Sequence, residues 1–221
     1  MNDVSLGMIF RAYEGCGVRL YNRLRFLTLR RRMLDEIGQY LPRSGQVLDI
    51  GCGFGLFSLY FAAQRPELRI RGIDLSPRRI ALAQQAAARL GLGNVQYEVG
   101  DAGEFRSSGG IQGAYMIDLV HHLPREAVPR LLTPIAESLE PGARLVIKDI
   151  EPSPMHKLAY TWLLDKFMDR RAPLNYWTPG QVRDVLQRLG LSVYKHSMLD
   201  LLPCPHVMYI AVKEAVAPRG C

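Results

Sequence analysis

No run of 18 consecutive apolar residues occurs in the chain, so the sequence offers no membrane-spanning helix. The first residues lack a charged segment leading into an apolar one, and no secretory signal is expected. Cysteine is scarce. Cys16, Cys52, Cys204 and Cys221 form no C-x-x-C pair, and no histidine cluster completes a zinc site. A disulfide at Cys52 would obstruct the glycine turn that contains it, so a reduced, cytosolic protein is expected. Internal repeats and low-complexity segments are absent.

What remains is a chain of 221 residues with 48% apolar content, enough for one domain with a sizeable core. The formal charge is +7, and the first 45 residues carry eight arginines against four acids, +4 of that total. Such asymmetry suits an anionic partner surface, whether a membrane, a nucleic acid or an acidic substrate, or simply a solvated basic helix.

The chain is organised around Val47-Leu48-Asp49-Ile50-Gly51-Cys52-Gly53-Phe54-Gly55. Val47, Leu48 and Ile50 make a short apolar strand. A glycine turn follows, and then an apolar helix over Leu56–Gln64. Glycines at 51, 53 and 55 permit a tight turn and close backbone approach to a ligand. A turn between a parallel strand and a helix puts that ligand at the carboxyl end of the sheet. A dinucleotide site reads G-x-G-x-x-G and seats a pyrophosphate. Here the pattern is D-x-G-x-G-x-G. The turn is shorter, and the carboxylate of Asp49 before it serves a cationic ligand better than an anion. A second strand, Leu68–Ile73, ends in Asp74, near the separation at which an acid meets ribose hydroxyls. A third, Val95–Val99, runs into Gly100-Asp101-Ala102.

These residues resemble the class I S-adenosylmethionine-dependent methyltransferases. The resemblance covers roughly Gln46 to Lys213 and includes Asp118-Leu119-Val120-His121-His122-Leu123, which looks like the family's motif after strand four. It implies an α/β fold: a Rossmann-like, seven-stranded, mostly parallel sheet with a terminal antiparallel strand and helices on both faces. It implies S-adenosylmethionine as cofactor. Asp49 and the turn Gly51, Cys52, Gly53, Phe54 and Gly55 would hold its methionyl end, Asp74 the ribose, and Asp101 with Ala102 the adenine side. Leu75 and Phe54 would add apolar contacts, and Asp118 completes the set.

Residues 1–45 are expected to form a helical cap and 46–221 the methyltransferase domain. Val18–Ile37 reads as one or two helices, with Leu20, Leu24, Leu27 and Leu34 on one face and Phe26, Leu29 and Met33 in a second strip. Arginines separate the two strips. From Gln46 strands and helices alternate. Ser76-Pro77 starts a helix that stops at Gly91. Strand four spans Ala114–Ile117, a helix runs from about Arg125 to Leu139, perturbed at Pro129 and Pro134, and Glu140-Pro141-Gly142 turns into strand five, Ala143–Ile150. The segment at about 151–177 is too long for an ordinary connection and carries Tyr160, Trp162 and Phe167, which suits either a substrate lid or a helix on the sheet edge. Thr178-Pro179 opens the last helix. Ser192–Met198 and Val207–Val212 are joined too closely for a helical crossover, so they pair antiparallel. The tail Ala215–Cys221 reads as disordered.

Methyl transfer is an in-line displacement in which alignment supplies most of the rate, so no fixed catalytic residue is demanded. His121 and His122 are the candidate bases, since an imidazole exchanges protons near neutrality. Each also suits a capping or packing role. A metal site from Asp118, His121 and His122 lacks a further ligand. No Asn-Pro-Pro-Tyr-like segment follows strand four, which argues against methylation of exocyclic base amines. The acceptor expected is a small apolar molecule such as a lipid, quinone or polyketide-like product. RNA is the alternative, given the basic charge, and a non-catalytic donor-binding protein is the third reading. A peripheral membrane location is expected from the arginine-rich N-terminal helices.

Overall fold

The computed structural model describes residues 4–28, 31–106, 110–152, 174–198 and 205–215. The expected lid helix lies outside them, as do the tail beyond Ala215, Cys204 and Cys221. The fold is the expected mostly parallel sheet of seven strands with one antiparallel strand. The chain forms two compact units, Met1–Phe105 and Arg106–Cys221. Residues 1–45 fall within the first.

The first unit opens with α1 (Leu6–Ala12), α2 (Cys16–Thr28) and α3 (Arg31–Tyr40). It continues through β1 (Gly45–Ile50), α4 (Leu56–Gln64), β2 (Leu68–Asp74), α5 (Pro77–Leu90) and β3 (Val95–Val99). Its strands lie in the order β3-β2-β1, all parallel. Val47 to Ile50 are buried without alternation, the mark of a strand covered on both faces. α5 is bounded as its sequence dictates. The Ser76 hydroxyl accepts from the Arg79 amide, Pro77 takes a position where no amide is needed, and Gly91 ends the helix at φ +65°.

α1 is an element the sequence pattern did not reveal. The strip proposed for the following helices also divides. Leu34 is fully buried, whereas Leu20 and Leu24 are exposed. α2 and α3 are separate helices, so a single angular phase does not carry from one to the other.

The second unit contains β4 (Ile111–Ile117), α6 (Ala127–Ser138), β5 (Leu139–Ile150), α7 (Pro179–Arg188), β6 (Leu191–Ser197) and β7 (His206–Lys213). Its strand order is β4-β5-β7-β6. β4 and β5 are parallel, and β7 is antiparallel to both β5 and β6. The turn expected at Glu140-Pro141-Gly142 is instead an irregularity inside β5. The register jumps from Ile111↔Leu139 to Gly113↔Arg144, and Gly142, at φ +81°, absorbs the extra residues. β4 also begins earlier than expected, at Ile111. α6 tolerates Pro134 inside it. The Thr133 hydroxyl donates to the carbonyl of Pro129 at 2.8 Å, and Ser138 does the same for Pro134 at 2.8 Å. Thr178 and Gln181 form a reciprocal capping box at the start of α7.

Candidate methyl-donor and acceptor residues

The glycine turn is built from below and from the side. Gly51, Gly53 and Gly55 all have positive φ, at +70°, +56° and +72°. Only glycine takes this conformation without cost, and three in five residues fold the chain back over the end of β1. Space makes a second demand. A Cβ at Gly55 would lie 2.5 Å from the Tyr97 oxygen, and one at Gly72 2.6 Å from the Tyr97 ring. Tyr97 is buried beneath the turn and donates to the Gly55 carbonyl at 3.1 Å.

Four amides of the turn are occupied. Gly51 and Cys52 donate to the Ile73 carbonyl at 2.8 and 3.1 Å, Gly55 to Cys52 at 2.8 Å, and Gly53 to Asp74 Oδ2 at 2.9 Å. A pyrophosphate would have to displace those bonds. Asp49, buried at the strand end, accepts from the Ser58 hydroxyl. The turn is thus acid-lined, and an anion there would meet two carboxylates and compete for amides already bonded. Burial and the carboxylates of Asp49 and Asp74 push the Cys52 thiol far above its ordinary range. It stays protonated and is a poor nucleophile.

Asp74 has two jobs. Oδ2 holds Gly53, and Oδ1 accepts from the Ser76 amide at 2.9 Å. Each carboxylate oxygen keeps a further lone pair for a ligand hydroxyl. Leu75 is 71% exposed, and Val99, the register partner of Asp74, is 50% exposed. Asp101 is exposed at the end of β3, where it caps the short 3-10 turn Ala102–Glu104 by accepting from Gly103 at 2.8 Å. Ala102 is buried. Two exposed apolar side chains flanked by two carboxylates at adjacent strand ends fit a nucleoside. Its hydroxyls would lie on Asp74, its base on Leu75 and Val99, and its amine toward Asp101.

In the second unit, Asp118 is the one non-glycine residue with positive φ, at +52°, among the described residues. It accepts from Lys148, whose side chain is wholly buried, and its amide donates to the Lys148 carbonyl at 2.8 Å. Strain of this kind collects at functional sites. Two residues on, the short turn Val120–His122 begins. His121 is buried with Nδ1 against Asp149, and its amide donates to Asp149 Oδ2 at 3.2 Å. His122 is half-buried, its ring centroid 3.9 Å from that of His121. Tyr176 stacks on His121 at 5.9 Å, and the Asn175 amide donates to the His121 carbonyl at 2.6 Å. No group of three or more His, Cys, Asp and Glu is placed to hold a metal among the described residues.

Sequence reasoning passed over Ser58, Tyr97, Lys148, Asp149 and Tyr13. Ser58 is the lone small polar residue in the apolar helix Leu56–Gln64, and Lys148-Asp149 interrupts an apolar strand, so both left a signal. Tyr13 and Tyr97 left none, since an isolated tyrosine carries no pattern.

A family model described as a methyltransferase domain matches residues 21–196. Among curated proteins, a 23S rRNA (uracil(747)-C(5))-methyltransferase of Escherichia coli O7:K1 is 30% identical over 127 residues, 54% of this chain and 32% of that protein. The match therefore spans about a third of the length of that relative. A solved S-adenosylmethionine-dependent methyltransferase from Methanosarcina mazei shares the fold at TM-score 0.67 and 20% identity, over 82% of this chain and 97% of its own. Magnesium protoporphyrin IX methyltransferase from Synechocystis, solved with S-adenosylhomocysteine, does so at TM-score 0.63 and 18% identity, over 96% and 95%. With the motifs, the acid-lined turn and the family match agreeing, the chain belongs to the class I S-adenosylmethionine-dependent methyltransferases.

Proposed function

We propose that the protein methylates a small apolar acceptor of lipid, quinone or polyketide-like chemistry. The observation that carries this reading is on α2. Its Tyr21 meets Phe54 of the donor turn edge-on at 5.3 Å, while Leu20 and Leu24, one helical turn apart, are 58% and 39% exposed. These leucines present apolar surface on the helix whose Tyr21 contacts the turn, and small-molecule sites are lined mostly by apolar side chains.

When bound, the donor supplies an electrophilic methyl group on a sulfonium. The chain supplies position and proton management. Asp49, the glycine turn, Asp74, Leu75, Asp101 and Ala102 bind and orient. An acceptor hydroxyl or amine has to lose a proton. His122 is the proposed base, because it is the less buried of the pair. His121, held at Nδ1 by Asp149, fixes the ring against which His122 rests. This assignment rests on the family's pattern, in which the residues after strand four face the reacting group.

RNA is the second reading, favoured by the +7 charge and by the rRNA methyltransferase match. Incubation of the protein with isotope-labelled donor and cell extract, followed by phase partitioning, separates the readings. The small apolar acceptor predicts label in the organic phase. Label confined to RNA would replace it with the second reading. Absence of label in every fraction would leave donor binding without transfer.

A further inference from the structure

The family match begins at residue 21, yet a residue before it is built into the donor turn. Tyr13 is fully buried, and its hydroxyl donates to the Phe54 carbonyl at 2.9 Å. A buried hydroxyl needs an acceptor, and this one has taken a carbonyl flanked by two positive-φ glycines. The backbone that presents the phenol is itself clamped. Arg89 of α5 donates to the Ala12 carbonyl at 2.8 Å and pairs with Glu14, and Arg19 donates to the Tyr13 carbonyl at 2.7 Å. Phe54 is gripped by its ring as well. Tyr21 lies edge-on at 5.3 Å, and the Arg79 guanidinium sits 5.7 Å above it.

We infer that Tyr13 is a positioning residue of the donor site: its hydroxyl fixes the Phe54 carbonyl and so holds the glycine turn in its ligand-ready shape. The segment Tyr13–Arg19 is then part of the donor site and not a cap laid over it. Desolvation keeps the phenol neutral far above its ordinary range, so the hydroxyl remains a donor at every pH at which the protein works.

The test is Tyr13→Phe, which removes one oxygen and keeps the buried ring. S-adenosylhomocysteine affinity is measured by titration calorimetry, with a melting curve and hydrogen exchange on the same samples. Tyr194→Phe, an exposed position on β6, is the control. The expected result is affinity weakened about tenfold, the loss of one ordinary buried hydrogen bond, with faster exchange confined to the peptide over 51–56 and the control unchanged. Wild-type affinity in Tyr13→Phe overturns the inference, whatever happens to the melting temperature. Weakened affinity with exchange accelerated evenly across residues 1–105 also overturns it, because the oxygen would then act through general stability.

Discussion

Asp74 shows how one carboxylate serves both the fold and the ligand. It closes the glycine turn through Gly53 and starts the approach to α5 through Ser76, with lone pairs left over for hydroxyls. Asp74→Ala is therefore expected to weaken S-adenosylhomocysteine binding by about 1–3 kcal/mol, since the Gly53 amide loses its partner along with the ligand. NAD is expected to leave the melting temperature unchanged in the wild type, because a pyrophosphate finds the turn amides engaged. Stabilisation by NAD equal to that by the methyl donor would refute the acid-lined reading of the turn. The two histidines separate on similar grounds. His122→Ala is expected to lower turnover by about 10²–10⁴-fold with donor affinity intact, the usual contribution of a positioned base. His121→Ala is expected to lower the melting temperature, because the buried Asp149 carboxylate loses its ring partner and keeps only backbone amides. Turnover of His122→Ala equal to wild type would remove it from the chemistry.

At the scale of elements, the clearest feature is the charged pair at the ends of β4 and β5. Lys148 has no exposure, and Asp118 holds it from a strained backbone. Breaking such a pair costs more than the pair contributes, because one charge is left buried. Asp118→Asn is expected to destabilise the protein by about 3–5 kcal/mol in denaturant unfolding. Adding Lys148→Met to that variant is expected to restore most of the loss. A double variant no better than the single would mean that the backbone at Asp118, not the charge, carries the effect. The elements themselves were largely legible. α4, α5 and β3 have the ends their sequences announce, because Gly55, Ser76-Pro77 and Gly91 are local signals with local causes. The donor motif was legible for the same reason. What escaped depends on distant partners. Tyr97 and Gly55 are 42 residues apart, Asp118 and Lys148 are 30 apart, and no spacing rule links either pair. The β5 irregularity escaped because Pro141-Gly142 reads as a turn, and only the pairing with β4 absorbs it into a strand.

At the scale of the whole molecule, the question is where the proposed apolar acceptor would be met. No described helix is long and apolar enough to cross a membrane. Yet much of the net charge of +7 lies in the first 45 residues, and Met8, Leu20 and Leu24 are exposed on α1 and α2. Arg23 stands between the two leucines and is exposed, and Arg32 is exposed on α3. Arg11 and Arg19 are already spent on the Gly7 and Tyr13 carbonyls, so Arg23 and Arg32 are the better contacts for lipid phosphates. Leucines interleaved with arginine suit a helix lying at a bilayer interface, where apolar burial and attraction to anionic lipid act together. Flotation with vesicles containing phosphatidylserine is expected at low salt, weakened by added salt because exposed charges are screened within about 10 Å at 0.1 M. Arg23→Gln with Arg32→Gln is expected to reduce flotation, and Leu20→Ser with Leu24→Ser to abolish it at unchanged charge. Donor affinity is expected to stay at the wild-type value in both double variants, since none of these side chains supports the glycine turn. Flotation that ignores both anionic lipid and salt would reject the interface, and the acceptor would then have to reach the enzyme through water.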